Sequence, residues 1–277
     1  MTSFQLTRSV LFVPASRPDR FPKALACGAD VVVVDLEDAV ALSEKEKARE
    51  LLRQYLESHS GAKLIVRVNA ADTKEFAQDL ELCRQQAGVA AIMLAKAQSV
   101  EALQVVAGTG KAVWPLVETA LGVDQLPRMS GVKGVERFCL GGLDMGEDLG
   151  MKPDTAGAKI VLDRVRSDLI LYSALAGCEA PIETVYPSIE DDVGVERIAR
   201  QACEMGFAGM LCIHPRQLPS IHRGFSPAPD ELDWARRVLA AAEGGDGVFT
   251  VDGKMVDAPV IHRARLILSQ ADEVDVA

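Results

Sequence analysis

The sequence predicts an α/β protein, a modified (β/α)₈ barrel or TIM barrel followed by a C-terminal hairpin and helix that act as a lid. Three observations indicate this fold class. The length of 277 residues is close to the roughly 250 residues of an undecorated barrel. Eight short apolar runs alternate with longer amphipathic segments, the pattern of repeated β-α units. The alternation stops after Gly224, so we expect the barrel to span residues 1–224 and the lid 225–277.

The eight apolar runs have the length and composition of parallel strands. The segment Val31–Val34 is wholly apolar, as expected of a strand that is covered on both faces. Eight β-α units predict closure into a barrel, and a doubly wound open sheet is the alternative. In chain order, the predicted strands are Ser9–Val13, Val31–Asp35, Lys63–Val68, Ala90–Leu94, Val113–Val117, Arg137–Leu140, Glu179–Ile182 and Gly209–Ile213.

Helix signals fill the intervals between these strands. Ser43 and Glu46 have the spacing of a capping box, which predicts a helix over Ser43–Ser58. A second helix is predicted over Ala156–Ala176, with Gly177 as its C-terminal stop. Both helices fit the outer layer of a barrel.

The last fifty residues follow a different pattern. A helix is predicted over Asp230–Ala242, and the glycine-rich segment Gly244–Gly247 then breaks the chain. Asp252-Gly253 between two short apolar segments is a strong two-residue hairpin signal. The elements predicted for this tail are the strands Val248–Val251 and Lys254–Val256 and a final helix over Ala258–Ser269.

Composition excludes several classes of protein. Hydrophobic residues make up 48% and charged residues 25% of the chain, which is a globular balance rather than that of a disordered chain. The formal charge of −10 disfavours nucleic acid or an anionic membrane surface as a partner. The six cysteines form no Cys-x-x-Cys pair, so we expect reduced structural thiols. No signal peptide or membrane-spanning run is evident, so we expect a cytoplasmic protein.

Polar residues follow the predicted strands on the side where barrel enzymes carry their active sites. Acidic groups dominate this set, and several carboxylates cannot share a water-poor pocket as anions without strong repulsion. A divalent cation would relieve that repulsion. The strand-end residues are Asp35, Glu37, Asp38, Arg67, Asn69, Lys96, Glu118, Asp144, Glu183 and His214.

Oxygen ligands without His or Cys suit Mg²⁺, which keeps several waters and takes one or two protein carboxylates. We expect Glu118 and Asp144 to be direct metal ligands, with Glu37 and Asp38 holding metal-bound waters. Three of these four carboxylates have a structural alternative. Glu37 and Asp38 also fit a helix start or pairs with surface Lys and Arg, and Asp144 also fits a turn or an N-cap.

Arg67 closes an apolar strand, where its guanidinium can hold a carboxylate or stabilise an enolate oxygen. A structural pair with Asp35 or Glu37 is the alternative for Arg67. The basic residues Arg17, Arg20 and Lys23 are candidates for contacts with phosphate groups at the barrel rim, or else belong to a solvated helix start. The four histidines lack metal-ligand spacing, and no phosphate-binding glycine fingerprint or nucleophile elbow follows a strand.

Taken in order, eight short motifs resemble those of the citrate lyase β-subunit-like proteins of the HpcH/HpaI aldolase superfamily, which includes malyl-CoA and citramalyl-CoA lyases. The resemblance runs over nearly the whole chain, and the order of the motifs makes it specific. The motifs are Arg8-Ser9-Val10-Leu11-Phe12-Val13-Pro14, Asp35-Leu36-Glu37-Asp38-Ala39-Val40, Val66-Arg67-Val68-Asn69, Pro115-Leu116-Val117-Glu118-Thr119-Ala120, Gly141-Gly142-Leu143-Asp144, Ile213-His214-Pro215, Phe225-Ser226-Pro227 and Gly253-Lys254-Met255-Val256-Asp257-Ala258-Pro259.

The resemblance implies a modified TIM barrel that binds Mg²⁺, with Mn²⁺ as a substitute, through Glu118 and Asp144. It implies substrate contacts from Arg67 and Glu118, with CoA as part of the substrate. It also implies that Asp257 is an acid/base residue delivered to the active site of an adjacent subunit, within a homotrimer. From the residues alone, Asp257 is expected to be the N-cap of the last helix.

The expected function is therefore that of a Mg²⁺-dependent carbon–carbon lyase. Its expected substrate is a carboxylated 3-hydroxyacyl-CoA, malyl-CoA or citramalyl-CoA, and its products are acetyl-CoA and a 2-oxoacid. One alternative is a citrate lyase β subunit that cleaves a citryl group bound to an acyl carrier protein. A further alternative is a non-catalytic protein that binds acyl-CoA and metal. The sequence also leaves open a hydrolytic side reaction that cleaves the thioester and releases malate or citramalate.

Overall fold

The computed structural model describes residues 7–242 and 249–276. The chain divides into two compact units, one that extends to Gly224 and one that begins at Phe225. The segment Gly244–Gly247 and Val248, at the start of the predicted hairpin, lie outside the described residues. Within the described ranges, no helix is both long and apolar enough to cross a membrane.

The first unit contains eight parallel strands, which pair in sequential order and close into a barrel. Closure occurs where β1 pairs with both β2 and β8, so that Val10 lies opposite Val31 on one side and Leu211 on the other. The predicted barrel is confirmed and the doubly wound open sheet is excluded. The strands are β1 Ser9–Pro14, β2 Val31–Asp35, β3 Leu64–Val68, β4 Val89–Leu94, β5 Ala112–Val117, β6 Cys139–Leu140, β7 Ile182–Glu183 and β8 Gly209–Cys212.

The seventh strand lies further along the chain than predicted. The sequence predicts a strand over Glu179–Ile182, but β7 is Ile182–Glu183. Pro181 has no N–H to donate to a neighbouring strand, so the regular ladder begins only after it. The eighth strand ends one residue before the predicted Ile213, whose N–H donates to the side chain of Gln217 at 3.0 Å.

Helices follow the strands around the barrel, and the predicted helix Ala156–Ala176 with its stop at Gly177 (φ 68°) is confirmed. Short 3-10 turns lie at Pro18–Arg20, Leu42–Glu44 and Pro215–Gln217. The helices of this unit are α1 Phe21–Ala26, α2 Lys45–Ser58, α3 Phe76–Gln85, α4 Val100–Ala107, α5 Ala120–Met129, α6 Gly142–Asp148, α7 Ala156–Ala176, α8 Asp192–Met205 and α9 Leu218–Phe225, the last ending at the unit boundary.

The capping box predicted at Ser43 and Glu46 is wrong. The Glu44 N–H donates to the Ala41 carbonyl at 2.8 Å and closes a 3-10 turn, so α2 begins only at Lys45. No side chain caps the start of α2. The position of Lys45 explains the shift, because its buried side chain is held beneath the loop that follows β2.

The second unit contains α10 Pro229–Ala242, the antiparallel pair β9 Phe249–Val251 and β10 Lys254–Val256, and α11 Ala258–Val276. Asp252 and Gly253 both have positive φ, which confirms the predicted tight hairpin. The helix α11 extends beyond the predicted end at Ser269. An apolar core of this unit is built from Ala235, Val238, Val256, Ala264 and Ile267.

Candidate active site

Alternate residues of each barrel strand point inward, so the same spacing of two shows which residue at the end of a strand faces the interior. In β2 the buried core residues Val31 and Val33 are followed at the same spacing by Asp35, and in β5 Trp114 and Leu116 are followed by Glu118. These ends surround a cavity of about 380 Å³, lined by Phe12, Pro14, Asp35, Asp38, Ala39, Arg67, Leu116, Glu118, Gly141, Leu143, Asp144, Thr184, Val185, Leu211 and Ile213.

A two-point ion pair joins the ends of β2 and β3. The Arg67 Nε donates to Asp35 Oδ1 at 2.7 Å, and Arg67 Nη2 donates to Asp35 Oδ2 at 2.6 Å. Asp35 is 1% exposed, so this bidentate contact is shielded from solvent and fixes the plane of the guanidinium. The structural alternative for Arg67 is therefore realised, while the guanidinium still lines the cavity.

Arg67 also contacts a second carboxylate and an aromatic ring. Its Nη1 lies 3.2 Å from Glu37 Oε2, and its guanidinium carbon lies 4.8 Å from the centre of the Phe12 ring. Burial opposes the charge on Arg67, but Asp35 and Glu37 outweigh it and raise the pKa of the guanidinium. Arg67 therefore stays a fixed cation at the cavity wall.

Lys96 connects three acidic side chains of the site. Its ammonium lies 3.2 Å from Glu37 Oε1 and 4.0 Å from Asp144 Oδ1. Its backbone N–H donates to Glu118 Oε1 at 2.7 Å, and the residue has a left-handed φ of 48°. Burial raises the pKa of Glu37, although Arg67 and Lys96 oppose that shift.

Glu118 is the most strongly perturbed carboxyl group at the cavity. It is 2% exposed, and burial raises its pKa to about 8, with the nearby charge of Asp144 adding to the shift. Without a cation, this carboxyl group is therefore mainly protonated at neutral pH. A divalent cation would favour its ionised form.

Glycines allow the loop after β6 to approach Glu118 closely. A Cβ at Gly141 would overlap the Cβ and Oε2 of Glu118, so this position has no room for a side chain. The Gly142 N–H donates to Thr184 Oγ1 at 2.8 Å and ties the loop to the end of β7. Asp144 then lies in the first turn of α6, where it does not act as the N-cap.

Glu118 and Asp144 fit a magnesium ion that keeps most of its water. Both side chains face one cavity and offer only oxygen ligands, and burial together with the charge of Asp144 raises the pKa of Glu118, a shift that a bound cation would oppose. In the described part of the chain, there is no cluster of three or more Asp, Glu, His or Cys side chains that could hold a metal ion by itself. A site with two carboxylates agrees with that finding, because Mg²⁺ needs only one or two protein ligands.

The placement of Glu183 at the mouth of the barrel is wrong. Glu183 is fully buried and accepts from Arg166 Nε at 2.8 Å and Arg166 Nη2 at 2.9 Å, so it faces α7. Thr184, which shares strand parity with the core residue Ile182, lines the cavity instead. Because side chains alternate between the two faces of a strand, the inward position of Ile182 predicts that Thr184 faces the cavity and Glu183 does not.

Other strand-end residues have structural contacts. Asn69 is buried between Lys45 and Asp79, and it does not line the cavity. The side chain of His214 accepts from the Arg216 N–H at 3.1 Å, as expected of a loop residue. Asp38 is exposed and lines the cavity, and its N–H donates to Glu37 Oε2 at 3.0 Å.

Three of the remaining predicted residues are not among those that line this cavity. Arg17, Arg20 and Lys23 are exposed around the start of α1, and Arg17 makes a two-point contact with Asp19 at 2.9 Å. Asp257 belongs to the second unit, where its Oδ1 accepts from the Val260 N–H at 3.3 Å. Asp257 is therefore the N-cap of α11, as the residues alone predict.

Comparison with known proteins identifies the family. Residues 8–215 match the family model described as HpcH/HpaI aldolase/citrate lyase, so the chain belongs to that family. It is 38% identical over 268 residues to the citrate lyase subunit beta-like protein of Mycobacterium tuberculosis, covering 95% of each chain. It is 34% identical over 277 residues to the (3S)-malyl-CoA thioesterase of Cereibacter sphaeroides, covering 96% of this chain and 95% of that one. The chain is thus an enzyme of the citrate lyase β-like type.

Solved structures agree with this assignment. CitE from Mycobacterium tuberculosis in complex with magnesium, acetoacetate and coenzyme A has a TM-score of 0.86 and 36% identity, covering 97% of this chain and 99% of that one. The same protein in complex with magnesium and pyruvate has a TM-score of 0.76 and 31% identity, covering 95% and 98%. The comparison by sequence and the comparison by structure therefore indicate the same family and the same barrel fold.

Proposed function

We propose that this protein is a Mg²⁺-dependent lyase that cleaves a carboxylated 3-hydroxyacyl-CoA to acetyl-CoA and a 2-oxoacid. The observation that carries the proposal is the cavity shared by Arg67, Glu118 and Asp144. It combines a fixed cation with two carboxylates that can ligate a metal. Magnesium, acetoacetate and pyruvate in the related CitE structures support a metal and an oxoacid as ligands.

Each residue has a distinct role in the proposed reaction. Glu118 and Asp144 would hold Mg²⁺, which supplies a template and Lewis acid for the substrate carboxylate and hydroxyl. Glu37 and Asp38 would orient metal-bound water. Arg67 faces the cavity with its plane fixed by Asp35, so it can stabilise negative charge that develops on a thioester oxygen.

The electron balance of the cleavage defines where protons must move. A base removes the proton of the substrate hydroxyl, its oxygen becomes the carbonyl of the 2-oxoacid, and the carbon–carbon bond breaks. The electron pair of that bond passes to the acetyl fragment as an enolate of acetyl-CoA, beside Arg67. Asp257 would donate the proton that converts this enolate to acetyl-CoA, and the reverse reaction is a Claisen-type condensation.

Asp257 is proposed to act across a subunit boundary. The second unit would serve as a lid over the active site of a neighbouring copy, within a homotrimer. Arg17, Arg20 and Lys23 are exposed cations, which suits contacts with the phosphates of CoA. Citramalyl-CoA and malyl-CoA are the proposed substrates.

Removal of either metal ligand tests this function. Glu118→Ala and Asp144→Ala should each abolish Mg²⁺-dependent release of a 2-oxoacid while the barrel stays folded. Metal-dependent cleavage that survives either substitution would contradict the assignment. The measurement is oxoacid release from each hydroxyacyl-CoA, followed with a coupled dehydrogenase.

Two other activities are supported by similarity to named relatives. The malyl-CoA thioesterase supports a hydrolase that releases a hydroxyacid and free CoA. The name of the citrate lyase subunit beta-like relative supports a citryl substrate, and attachment of that substrate to an acyl carrier protein is part of this alternative proposal. Cleavage of free CoA esters by the isolated chain separates the proposed lyase from the carrier-dependent enzyme, and detection of oxoacid separates it from the hydrolase. Ligand binding without turnover would support the non-catalytic alternative.

A further inference from the structure

A buried ammonium group lies beneath the loop that follows β2. Lys45 is only 8% exposed, and its Nζ donates to the carbonyl of Leu36 at 2.8 Å, the carbonyl of Glu37 at 2.7 Å and Asn69 Oδ1 at 2.7 Å. An ammonium has three N–H donors, so each has one acceptor. Lys45 thus holds two consecutive carbonyls of the loop.

The same loop orients the carboxylates that hold Arg67. The N–H of Glu37 donates to Asp35 Oδ1 at 2.8 Å, and the N–H of Ala39 donates to Asp35 Oδ2 at 3.1 Å. Those two Asp35 oxygens also accept both hydrogen bonds from Arg67. The path of this loop therefore determines the direction of Asp35 and, through it, the plane of the guanidinium.

A second set of contacts fixes the acceptor of Lys45. The Asn69 Nδ2 donates to Asp79 Oδ2 at 2.6 Å and to the Leu36 carbonyl at 3.0 Å, so its Oδ1 is turned toward the ammonium. Arg49 Nη1 in turn contacts Asp79 Oδ1 at 3.0 Å. The network runs from α2 to the loop without lining the cavity.

We propose that Lys45 is a positioning residue for Arg67. It acts through the Leu36 and Glu37 carbonyls, which hold the loop so that Asp35 and Glu37 grip the guanidinium in one orientation. Loss of the ammonium removes one of the two donors from each carbonyl, so that only Asn69 Nδ2 still holds the Leu36 carbonyl and only the Val40 N–H, from within the loop, holds the Glu37 carbonyl, and the loop is freer to shift. A shift of about 1 Å at such a group can lower a catalytic rate on the order of 100-fold.

The test compares Lys45→Met with Lys47→Met. Lys47 lies on the same helix and is exposed, and its ammonium lies 3.4 Å from Glu44 Oε2, so it is a matched control. The first reading is hydrogen exchange at Arg67 Nε–H by NMR, assigned from its disappearance in Arg67→Lys. We expect exchange to accelerate at least about tenfold in Lys45→Met and to stay unchanged in Lys47→Met.

The second reading is kinetic and rests on the proposed lyase function. We expect kcat to fall on the order of 10- to 100-fold in Lys45→Met with KM within about threefold, because Arg67 contributes mainly in the transition state. In the Arg67→Lys background, Lys45→Met should have no further effect on kcat. If the wild-type chain has no lyase activity, the proposed function fails, and the exchange reading still tests the positioning role.

Three outcomes would overturn the proposal. The first is unchanged Arg67 Nε–H exchange in folded Lys45→Met, and the second is full additivity of the kcat effects. If Lys45→Met does not fold, both readings are made on Lys45→Gln, which keeps side-chain N–H donors without the charge. The third outcome is that neither Lys45→Met nor Lys45→Gln folds while Lys47→Met does. That result would mean that Lys45 contributes to stability alone.

Discussion

Replacing Glu118 with glutamine separates the protonation of this side chain from its shape. Glu118 is 2% exposed, and burial raises its pKa from 4.5 to about 8, helped by the charge of Asp144. In the metal-free protein the folded state therefore keeps a proton on this carboxyl group at neutral pH. The unfolded chain releases that proton above pH 4.5.

The sign and size of the effect follow from proton linkage. Because the folded state binds more protons, the contribution of Glu118 to stability is full below pH 4.5 and is lost as the pH rises toward about 8. One pKa unit corresponds to about 1.4 kcal/mol, so between pH 6 and pH 8 the loss is about 2 kcal/mol. Glutamine does not titrate, so Glu118→Gln should lack this part of the pH dependence.

Urea unfolding in EDTA measures the difference. We expect the free energy of unfolding of the wild-type chain to fall by about 2 kcal/mol more than that of Glu118→Gln between pH 6 and pH 8. Other titrating groups are common to both proteins and cancel. Parallel pH profiles would refute the reasoning. With saturating Mg²⁺, the excess pH dependence of the wild-type chain should disappear, since the metal-bound folded state and the unfolded chain both carry the ionised carboxylate between pH 6 and pH 8.

Three further predictions concern other parts of the molecule. Gly141→Ala forces its Cβ into Glu118, so kcat should fall on the order of 100-fold, and wild-type kinetics would contradict this close approach. Glu183→Gln breaks the buried pair with Arg166 and should lower the free energy of unfolding by about 3–5 kcal/mol in urea, with kcat of the folded fraction unchanged. A loss of turnover without a loss of stability would contradict this structural role and indicate that Glu183 acts in the active site. Asp257→Asn keeps a good helix cap, so stability should hold in thermal unfolding while lyase turnover is lost, and retained turnover would exclude Asp257 as the acid/base.

The barrel and most of its mouth were predictable from the sequence. The strand positions followed from apolar runs, because parallel strands are buried on both faces. Once the strands are placed, their ends must meet at one rim, and the structure brings Arg67, Glu118, Asp144 and Asp38 to the same cavity. This placement needs only local periodicity and closure of the barrel.

The error at β7 came from strand parity. The strand begins only after Pro181, which has no N–H for the ladder. Ile182 points into the barrel, so Glu183 points to α7 instead. Of Glu183 and Thr184, it is Thr184 that has the parity of the core residue Ile182 and lines the cavity. Assigning each strand-end residue to an inward or outward position separates Glu183 from Thr184 by sequence spacing alone.

The start of α2 shows a different limit of prediction. Ser43 and Glu46 have capping-box spacing, but the chain instead forms a 3-10 turn and begins the helix at Lys45. The reason is a long-range contact, since the Lys45 ammonium reaches the Leu36 carbonyl and Asn69. Such contacts depend on how β2, β3 and α2 pack together, and local sequence signals do not contain that information.

Product identification tests the central claim most directly. The purified chain is incubated with citramalyl-CoA or malyl-CoA, with Mg²⁺ or with EDTA, and the products are separated by mass. We expect acetyl-CoA and a 2-oxoacid in equal amounts with Mg²⁺, and neither with EDTA. Free CoA with the intact hydroxyacid, or no product from either ester, would contradict a Mg²⁺-dependent carbon–carbon lyase.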